Sequence, residues 1–248
     1  MQYIKAKFIK LRSQTQDHCE AVKSERYMMK KVQQASESFL VAAILTLSGG
    51  FMDAYSYLCR EQVFANAQTG NILLFGINLS TGNFADALRY FIPILAFAFG
   101  VAIAEIVRNC FRNKKYLHWR QVTLLAEIVA LFAVAFIPQN LNLLANSLIS
   151  FACGAQVESF RKVNGSGIAT TMCIGNLRAA TQAICNYGLT KNLTSKQDGF
   201  LYFSIIVIFI MGAIIGNFCV GIWQEKSIIV SAILLSVGFV CMLIPKED

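Results

Sequence analysis

Charge is scarce in this sequence. Only 15% of its 248 residues are Asp, Glu, Lys or Arg, where a water-soluble domain carries about a quarter. Proline occurs three times, so little in the chain would interrupt long helices. Two histidines, His18 and His118, lie in polar segments, and spacing assembles no His/Cys metal cluster. Eight cysteines are scattered without a CxxC pair. Most sit in apolar runs and read as small buried hydrophobes. GxSxG, HExxH and P-loop signatures are all missing, which removes the common hydrolase, zinc-protease and nucleotide-driven classes. The sequence therefore predicts no catalytic residues, no metal, no cofactor and no enzyme.

What the chain has in abundance is apolar surface. Hydrophobic residues make up 56%, with 19 phenylalanines, and they cluster in runs long enough to cross a bilayer, which takes about 20 residues. The runs fall at about 39–59, 90–109, 120–138, 141–160, 200–222 and 227–245. Residues 1–38 are charged and lack the small-residue cleavage site of a signal peptide, so the run from Phe39 reads as a retained first span. The tail is weakly amphipathic (Tyr3, Ile4, Phe8, Ile9, Leu11) and suited to anionic lipid. A start at Met28 or Met29 is an equal alternative for it.

Two further stretches, 62–83 and 166–189, are apolar but rich in Asn, Gln and Thr. They occupy matching places in the two halves. Gly49-Gly50-Phe51-Met52-Asp53-Ala54-Tyr55 followed by Thr69-Gly70-Asn71 has a second copy. It reads Gly154-Ala155-Gln156-Val157-Glu158-Ser159-Phe160 followed by Ile174-Gly175-Asn176, at an offset of about 105 residues. This register pairs Asp53 with Glu158 and Gly70-Asn71 with Gly175-Asn176. Paired Gly-interrupted segments in two halves of a membrane protein point to a binding site between them.

The net charge of +8 resides in the tail and in the loop holding Arg108, Arg112, Lys114, Lys115 and Arg120. That distribution marks a cytoplasmic face rather than a nucleic-acid surface. Putting both basic segments on one side requires an even number of crossings between them, so 62–83 is expected to re-enter rather than span. Arg60, Arg89 and Lys226 then fall outside. The expected architecture is an all-α polytopic membrane protein with about six transmembrane helices, two broken or re-entrant segments and both termini cytoplasmic. Its parts are a tail (1–38), a first repeat (39–138) and a second repeat (139–248), inverted across the membrane. Eight full spans in parallel repeats is the alternative.

A carboxylate at bilayer depth costs roughly 2.5–3.5 kcal/mol on insertion scales. Asp53 is therefore expected to face a cavity or a partner, or to cap a broken helix. The candidate pathway residues are Asp53, Asn66, Gln68, Thr69, Gly70, Asn71, Glu158, Thr170, Thr171, Gly175, Asn176 and Arg178. Glycine permits an unwound turn, and an Asn amide both donates and accepts. Arg178 suits either a salt bridge to Asp53 or Glu158, attraction of an anionic solute, or snorkelling to the membrane face. Glu105 and Glu127 read as salt-bridge partners beside the basic loop. Gly212-x3-Gly216 and Gly100-x3-Ala104 read as helix-packing seams.

The run Gly50-Phe51-Met52-Asp53-Ala54, the stretch Phe64-Ala65-Asn66-Ala67-Gln68-Thr69-Gly70-Asn71, Gly154-Ala155-Gln156, and Thr170-Thr171 with Gly175-Asn176-Leu177 resemble the YoaK-type family of bacterial membrane proteins. That is a family of unknown function. The resemblance covers about 39–245. It implies a bacterial inner-membrane protein of about six spans and implies no substrate. Val157 and Ile174 depart from the family pattern, which would have a polar residue and a threonine there. It would also set Gly50 against Gly154, pairing Asp53 with Val157. The function expected is a transporter or channel for an unknown small solute, with a polar site near the midplane between the repeats. A non-transporting scaffold or sensor is the alternative. The lipid bilayer is the expected partner, nucleic acid is not one, and self-association into a homo-oligomer is compatible with the sequence.

Overall fold

The computed structural model describes residues 36–111, 118–163 and 166–243. The amphipathic tail, with Met28 and Met29, and the centre of the basic loop lie outside them. The described residues are all-α apart from one ladder of two residues a side. Helix α1 is Phe39–Cys59, α2 Gln68–Ser80, α3 Phe84–Phe111 and α4 Trp119–Val134. A 3-10 turn at Gln139–Leu141 leads into α5, Asn142–Ser159. Lys162–Val163 then pairs antiparallel with Ser166–Gly167, before α6 (Cys173–Thr190) and α7 (Leu193–Trp223). A second 3-10 turn, Gln224–Ser227, joins α7 to α8, Ile228–Leu243. The six expected spans fall on α1, α3, α4, α5, α7 and α8.

Local chemistry sets the helix starts. Ser38 accepts from the Val41 amide at the head of α1, and Asn192 does the same for Thr194 at α7. At α4, His118 Nδ1 accepts from the Arg120 amide while Gln121 reaches back to the His118 amide. Burial, reinforced by Arg120, holds the His118 imidazole down at about 4, in the neutral form that a cap acceptor needs.

Among the described residues, three stretches are long and apolar enough to cross a membrane by themselves: Phe39–Cys59, Phe84–Phe111 and Leu193–Leu243, the last containing both α7 and α8. Helix α1 is buried along most of its length. Helices α3 and α7 instead expose Leu95, Phe99 and Ile106, and Val207, Ile210, Ile214, Phe218 and Ile222. Apolar side chains in such a band suit lipid rather than water.

Four glycines fix how closely the helices approach. The most extensively packed pairs are α1 with α7 and α3 with α5. A Cβ on Gly50 would strike the carbonyl of Phe209, and one on Gly212 that of Leu47. On the other pair, a Cβ on Gly100 would strike the carbonyl of Phe151, and one on Gly154 that of Phe97. Each contact is reciprocal, glycine against the partner's backbone, as small-residue seams require. Gly216 adds to the first seam against Phe51 and Ala54, so Gly212-x3-Gly216 is a packing device as expected. The two seams also decide the register between the copies. Gly50 and Gly154 hold equivalent positions, so Asp53 corresponds to Val157, and the offset that pairs Asp53 with Glu158 does not hold at this helix.

Polar contacts at the two ends of the bundle give the helices their directions. At one end, Arg60 after α1 bonds Asn142 at the start of α5 and the carbonyls of Val134 and Ile137 after α4. Tyr55 donates to the Glu225 carbonyl beyond α7, and Glu61 pairs with Arg89 near the start of α3. At the other end, Arg120 bonds Ser36 and Glu37, and Ser159 meets Thr123. Arg108 and Arg161 converge there on Glu158. Thus α1 runs antiparallel to α5 and parallel to α7.

Gly50→Ala and Gly154→Ala should each force backbones apart and lower stability by about 1–3 kcal/mol. Gly76→Ala, where an added Cβ meets nothing within 4 Å, should be neutral. Thermal unfolding of the three detergent-solubilised variants makes the comparison, and equal melting of all three would show that the seams do not set the helix spacing.

Candidate functional site

The chain leaves α1 by an abrupt reversal. Glu61 and Gln62 are both left-handed (φ 64° and 59°) without being glycine, a conformation that costs ordinary residues of order 1 kcal/mol or more. The following residues descend along α1 to Asn66, whose side-chain amide donates to the Gly49 carbonyl at 3.2 Å. Ten residues of α1 separate Gly49 from Cys59, a depth of about 15 Å at 1.5 Å per residue. Helix α2 begins there. The interruption of 62–83 thus precedes the Gly-Asn step, which occupies the first turn of a continuous helix.

Asp53 makes this descent possible. Its Oδ1 accepts from the Asn66 amide at 2.7 Å, and the amides of Ala65 and Ala67 also bond the carboxylate. Three backbone donors freed by the broken helix are collected by one buried side chain. The cap role expected of Asp53 is therefore present, and its side chain also reaches a cavity.

Asn71 pins the same turn. Its amide donates to the Phe64 carbonyl at 2.8 Å and to Gln68 Oε1 at 3.0 Å, and its oxygen accepts from the Phe64 amide at 3.0 Å. Gln68 in turn donates to the Ala65 carbonyl. Gly70 makes room for the Phe64 ring, which would strike a Cβ. The second copy repeats the device. Asn176 donates to the Ala169 carbonyl at 2.7 Å, seven residues back, as Asn71 does to Phe64. Gly175 has open space around it, so no packing reason is evident for glycine there.

The two copies meet on Gly49. Its Cα faces Thr171, whose Cγ2 would lie 3.0 Å from an added Cβ, and its carbonyl holds Asn66. Next to this junction is a cavity of about 880 Å³, lined from both copies by Asp53, Asn66, Gln68, Thr69 and Thr171, with Asn217 of α7 opposite. Thr170 lies beside it. The hydroxyls of Thr170 and Thr171 and the Oδ1 of Asn66 are buried without a hydrogen-bond partner, although such groups normally find one. The wall is otherwise apolar, as small-molecule sites are.

Two expected members lie elsewhere. Arg178 is exposed on α6, on a shallow surface groove with Ile174 and Thr181, and forms no ion pair among the described residues. It holds neither Asp53 nor Glu158. Glu158 belongs to an ion-pair cluster at the bundle's end, 2.6 Å from Arg161 and 3.7 Å from Arg108, which also holds Glu105 at 2.8 Å. Glu105 is thus a salt-bridge residue as expected, but Glu127 is not. It is buried in the core, and its Oε1 is unpartnered.

Arg60, which the charge count puts on the outer side of the membrane, is wholly buried. It bonds Tyr55, Asn142 and two carbonyls, and its own carbonyl accepts from Asn146. Arg60 directly follows an apolar run, which gives no sign that its partners are loop carbonyls far along the chain. Gln156, which donates to the Leu45 carbonyl, was visible only as part of the family-like Gly-Ala-Gln.

The chain belongs to the family described as "Protein of unknown function (DUF1275)", which matches residues 41–241. It is also similar to the UPF0700 transmembrane protein YoaK of Bacillus subtilis (strain 168). The two are 25% identical over 182 residues, covering 70% of this chain and 80% of that one. No solved structure matches. Together with the apolar helices, these relatives make this an integral membrane protein.

Removing either clamp should destabilise the fold whether or not solute is present. Asn71→Ala orphans the Phe64 amide and carbonyl, Asn176→Ala only the Ala169 carbonyl, at about 1–3 kcal/mol per buried group. Asn71→Ala should therefore melt lower than Asn176→Ala, and both below wild type. The reverse order would show that the number of backbone groups each clamp satisfies does not set its contribution.

Proposed function

We propose that this protein conducts or carries a small solute across the cytoplasmic membrane of a bacterium, without chemistry on that solute. The observation that carries the proposal is the mostly apolar cavity bounded by both interrupted segments at once, with Asp53, Asn66, Gln68, Thr69 and Thr171 in its wall. Paired breaks of this kind are how carriers build a midplane site.

The topology proposed with it is six spans, α1, α3, α4, α5, α7 and α8, with α2 and α6 as the returning arms of two re-entrant hairpins. The depth of Asn66, about half of a 30 Å hydrocarbon core, supports this. So does the length of α2, whose 13 residues cover about 20 Å. The first hairpin enters from the end where Arg60 and Glu61 lie. The second enters from the end of Arg161 and Glu158, which the basic residues assign to the cytoplasm. Opposite entry makes the halves inverted repeats with both termini cytoplasmic. Asp53 holds the first hairpin and lends its charge to the cavity, while Asn66, Thr69, Thr170 and Thr171 supply polar contacts.

A scaffold or sensor role is the second reading. It is favoured by one observation, the saturation of Asn71 by three hydrogen bonds, which leaves that amide nothing to offer a solute.

Single cysteines at Thr171 and Ala213, in a cysteine-free background, separate the readings. A water-filled pathway makes both react with small aqueous thiol reagents, with protection by the transported solute in a screen. If both are sealed in folded protein, the cavity is not a pathway and the scaffold reading stands. In the transport reading, Asp53→Asn should lower flux more than stability, because its amide keeps one acceptor but loses the charge. Wild-type flux in that variant removes Asp53 from the mechanism.

A further inference from the structure

Among the described residues, Asp53 is the one charged group in the wall of the cavity, and no Lys, Arg or His lines the space with it. Its carboxylate is held by neutral backbone donors, the Asn66 amide at 2.7 Å and those of Ala65 and Ala67. Such donors fix the carboxylate in place without supplying a counter-charge. No cation is within ion-pair range of Asp53 among the described residues. The ion pairs found there belong to other carboxylates: Glu37, Glu61, Asp86, Glu105 and Glu158. Arg178 lines a different groove. One negative charge thus stands beside the space with no protein cation to match it.

Much of the remaining wall is hydrocarbon, and part of it is aromatic. Tyr57 and Phe64 stack with their ring centroids 5.0 Å apart, and Phe209 joins them from α7. Leu58, Met172 and Ile174 add aliphatic and thioether surface. Aromatic faces attract cations, more strongly where water is excluded. The wall can be set against each class of guest. An anion meets Asp53 and finds no positive group. A small inorganic cation takes about six oxygens, but most of this wall is carbon. No group of three or more His, Cys, Asp or Glu is placed to hold a metal ion among the described residues. A neutral apolar molecule could fill the space of about 880 Å³, but it would leave the Asp53 charge uncompensated in apolar surroundings, where a lone charge is costly. An organic cation meets both conditions, with a charge for Asp53 and hydrocarbon for the rest. A single carboxylate balances a single positive charge.

We infer that the guest of this cavity is a monovalent organic cation, an amine or quaternary ammonium that carries apolar groups. The inference names the solute class for the transport reading and rests on that reading. Asp53 supplies the counter-charge, and low-dielectric walls around it concentrate its field in the space. The rings of Tyr57, Phe64 and Phe209 receive the apolar body and add cation–π attraction.

Tetraphenylphosphonium and tetraphenylborate test the class, because they share one shape and carry opposite charges. Equilibrium binding of each to the purified full chain in detergent is measured above the background of protein-free micelles. Tetraphenylphosphonium should bind saturably and be displaced by a quaternary ammonium, and tetraphenylborate should not bind. Asp53→Asn should weaken binding of the cation about tenfold or more. Asp53 also caps the first hairpin, so Phe209→Leu serves if that variant does not fold. It should weaken the cation about threefold, as loss of a cation–π contact does. Equal binding of the two ions, no saturable binding of the cation, or binding that neither variant changes overturns the assignment. A single cysteine at Ala213 separates this failure from failure of the transport reading. If it reacts with aqueous thiol reagents and tetraphenylphosphonium does not protect it, the pathway stands and the cation class falls. If it is sealed in folded protein, the pathway falls and the inference falls with it.

Discussion

A helix that stops inside apolar surroundings frees amides that water cannot reach, and the cost of leaving them unpaired governs this fold. Asp53 meets that constraint for the first interruption. Its carboxylate takes the amides of Asn66, Ala65 and Ala67, so a charge that would otherwise be unwelcome and donors that would otherwise be orphaned cancel each other. Most of what surrounds the cavity follows from this exchange. It fixes Asn66 against Gly49, and Asn66 fixes where α2 starts. The turn is then stiffened by Asn71. In the second copy Val157 has no carboxylate to offer. The chain before α6 instead uses the short ladder of Lys162–Val163 with Ser166–Gly167, and the Asn176 clamp.

The glycine seams supply the second requirement, which is space. Helices packed at ordinary distance could not bring the tips of two interrupted segments to one residue of α1. Gly50 with Gly212, and Gly100 with Gly154, let carbonyls sit where Cβ atoms would be. The dispersion attraction between backbones so close together replaces the hydrophobic driving force that lipid does not provide. Gly49 does the same on the adjacent face, where Thr171 lies. The seam glycines are thus structural, and Gly49 is where the packing of α1 and the lining of the cavity coincide.

Much of this was legible in the residues. Apolar run length located the six long helices, because hydropathy and burial in an apolar solvent obey the same constraint, although α3 begins six residues and α7 seven residues before their runs. The polar composition of 62–83 and 166–189 marked the interruptions, and the repeated Gly-Asn step marked the clamps. Partners distant along the chain were not legible. Nothing local to Arg60 says that it will be swallowed by carbonyls after α4, and nothing local to Glu127 says that its neighbours will be leucines rather than the basic loop. Arg178 failed for the same reason: its place near the Gly-Asn step says nothing about which side of α6 it occupies. The Asp53–Glu158 pairing came from an offset that fits the Gly-Asn steps. The helices before them fit the one-residue shift that the family resemblance implied, with Gly50 and Gly154 each set against a partner backbone.

The division of labour between Asn71 and Asn66 bears most directly on how the cavity acts. Both are buried amides in the same turn, and both looked like solute ligands. Asn71 commits its carbonyl and its amide to its own turn, so it sets geometry and nothing else. Asn66 commits its amide to Gly49 but leaves its oxygen open, beside the open hydroxyls of Thr170 and Thr171 from the other copy. Acceptors left unsatisfied at a junction that is otherwise fully bonded are destabilising. Orphaned oxygens also lie at Thr46, Asn146, Ser150 and Gln156, so what sets the Asn66, Thr170 and Thr171 group apart is its place beside the cavity where the two copies meet, where the proposed polar guest would pass.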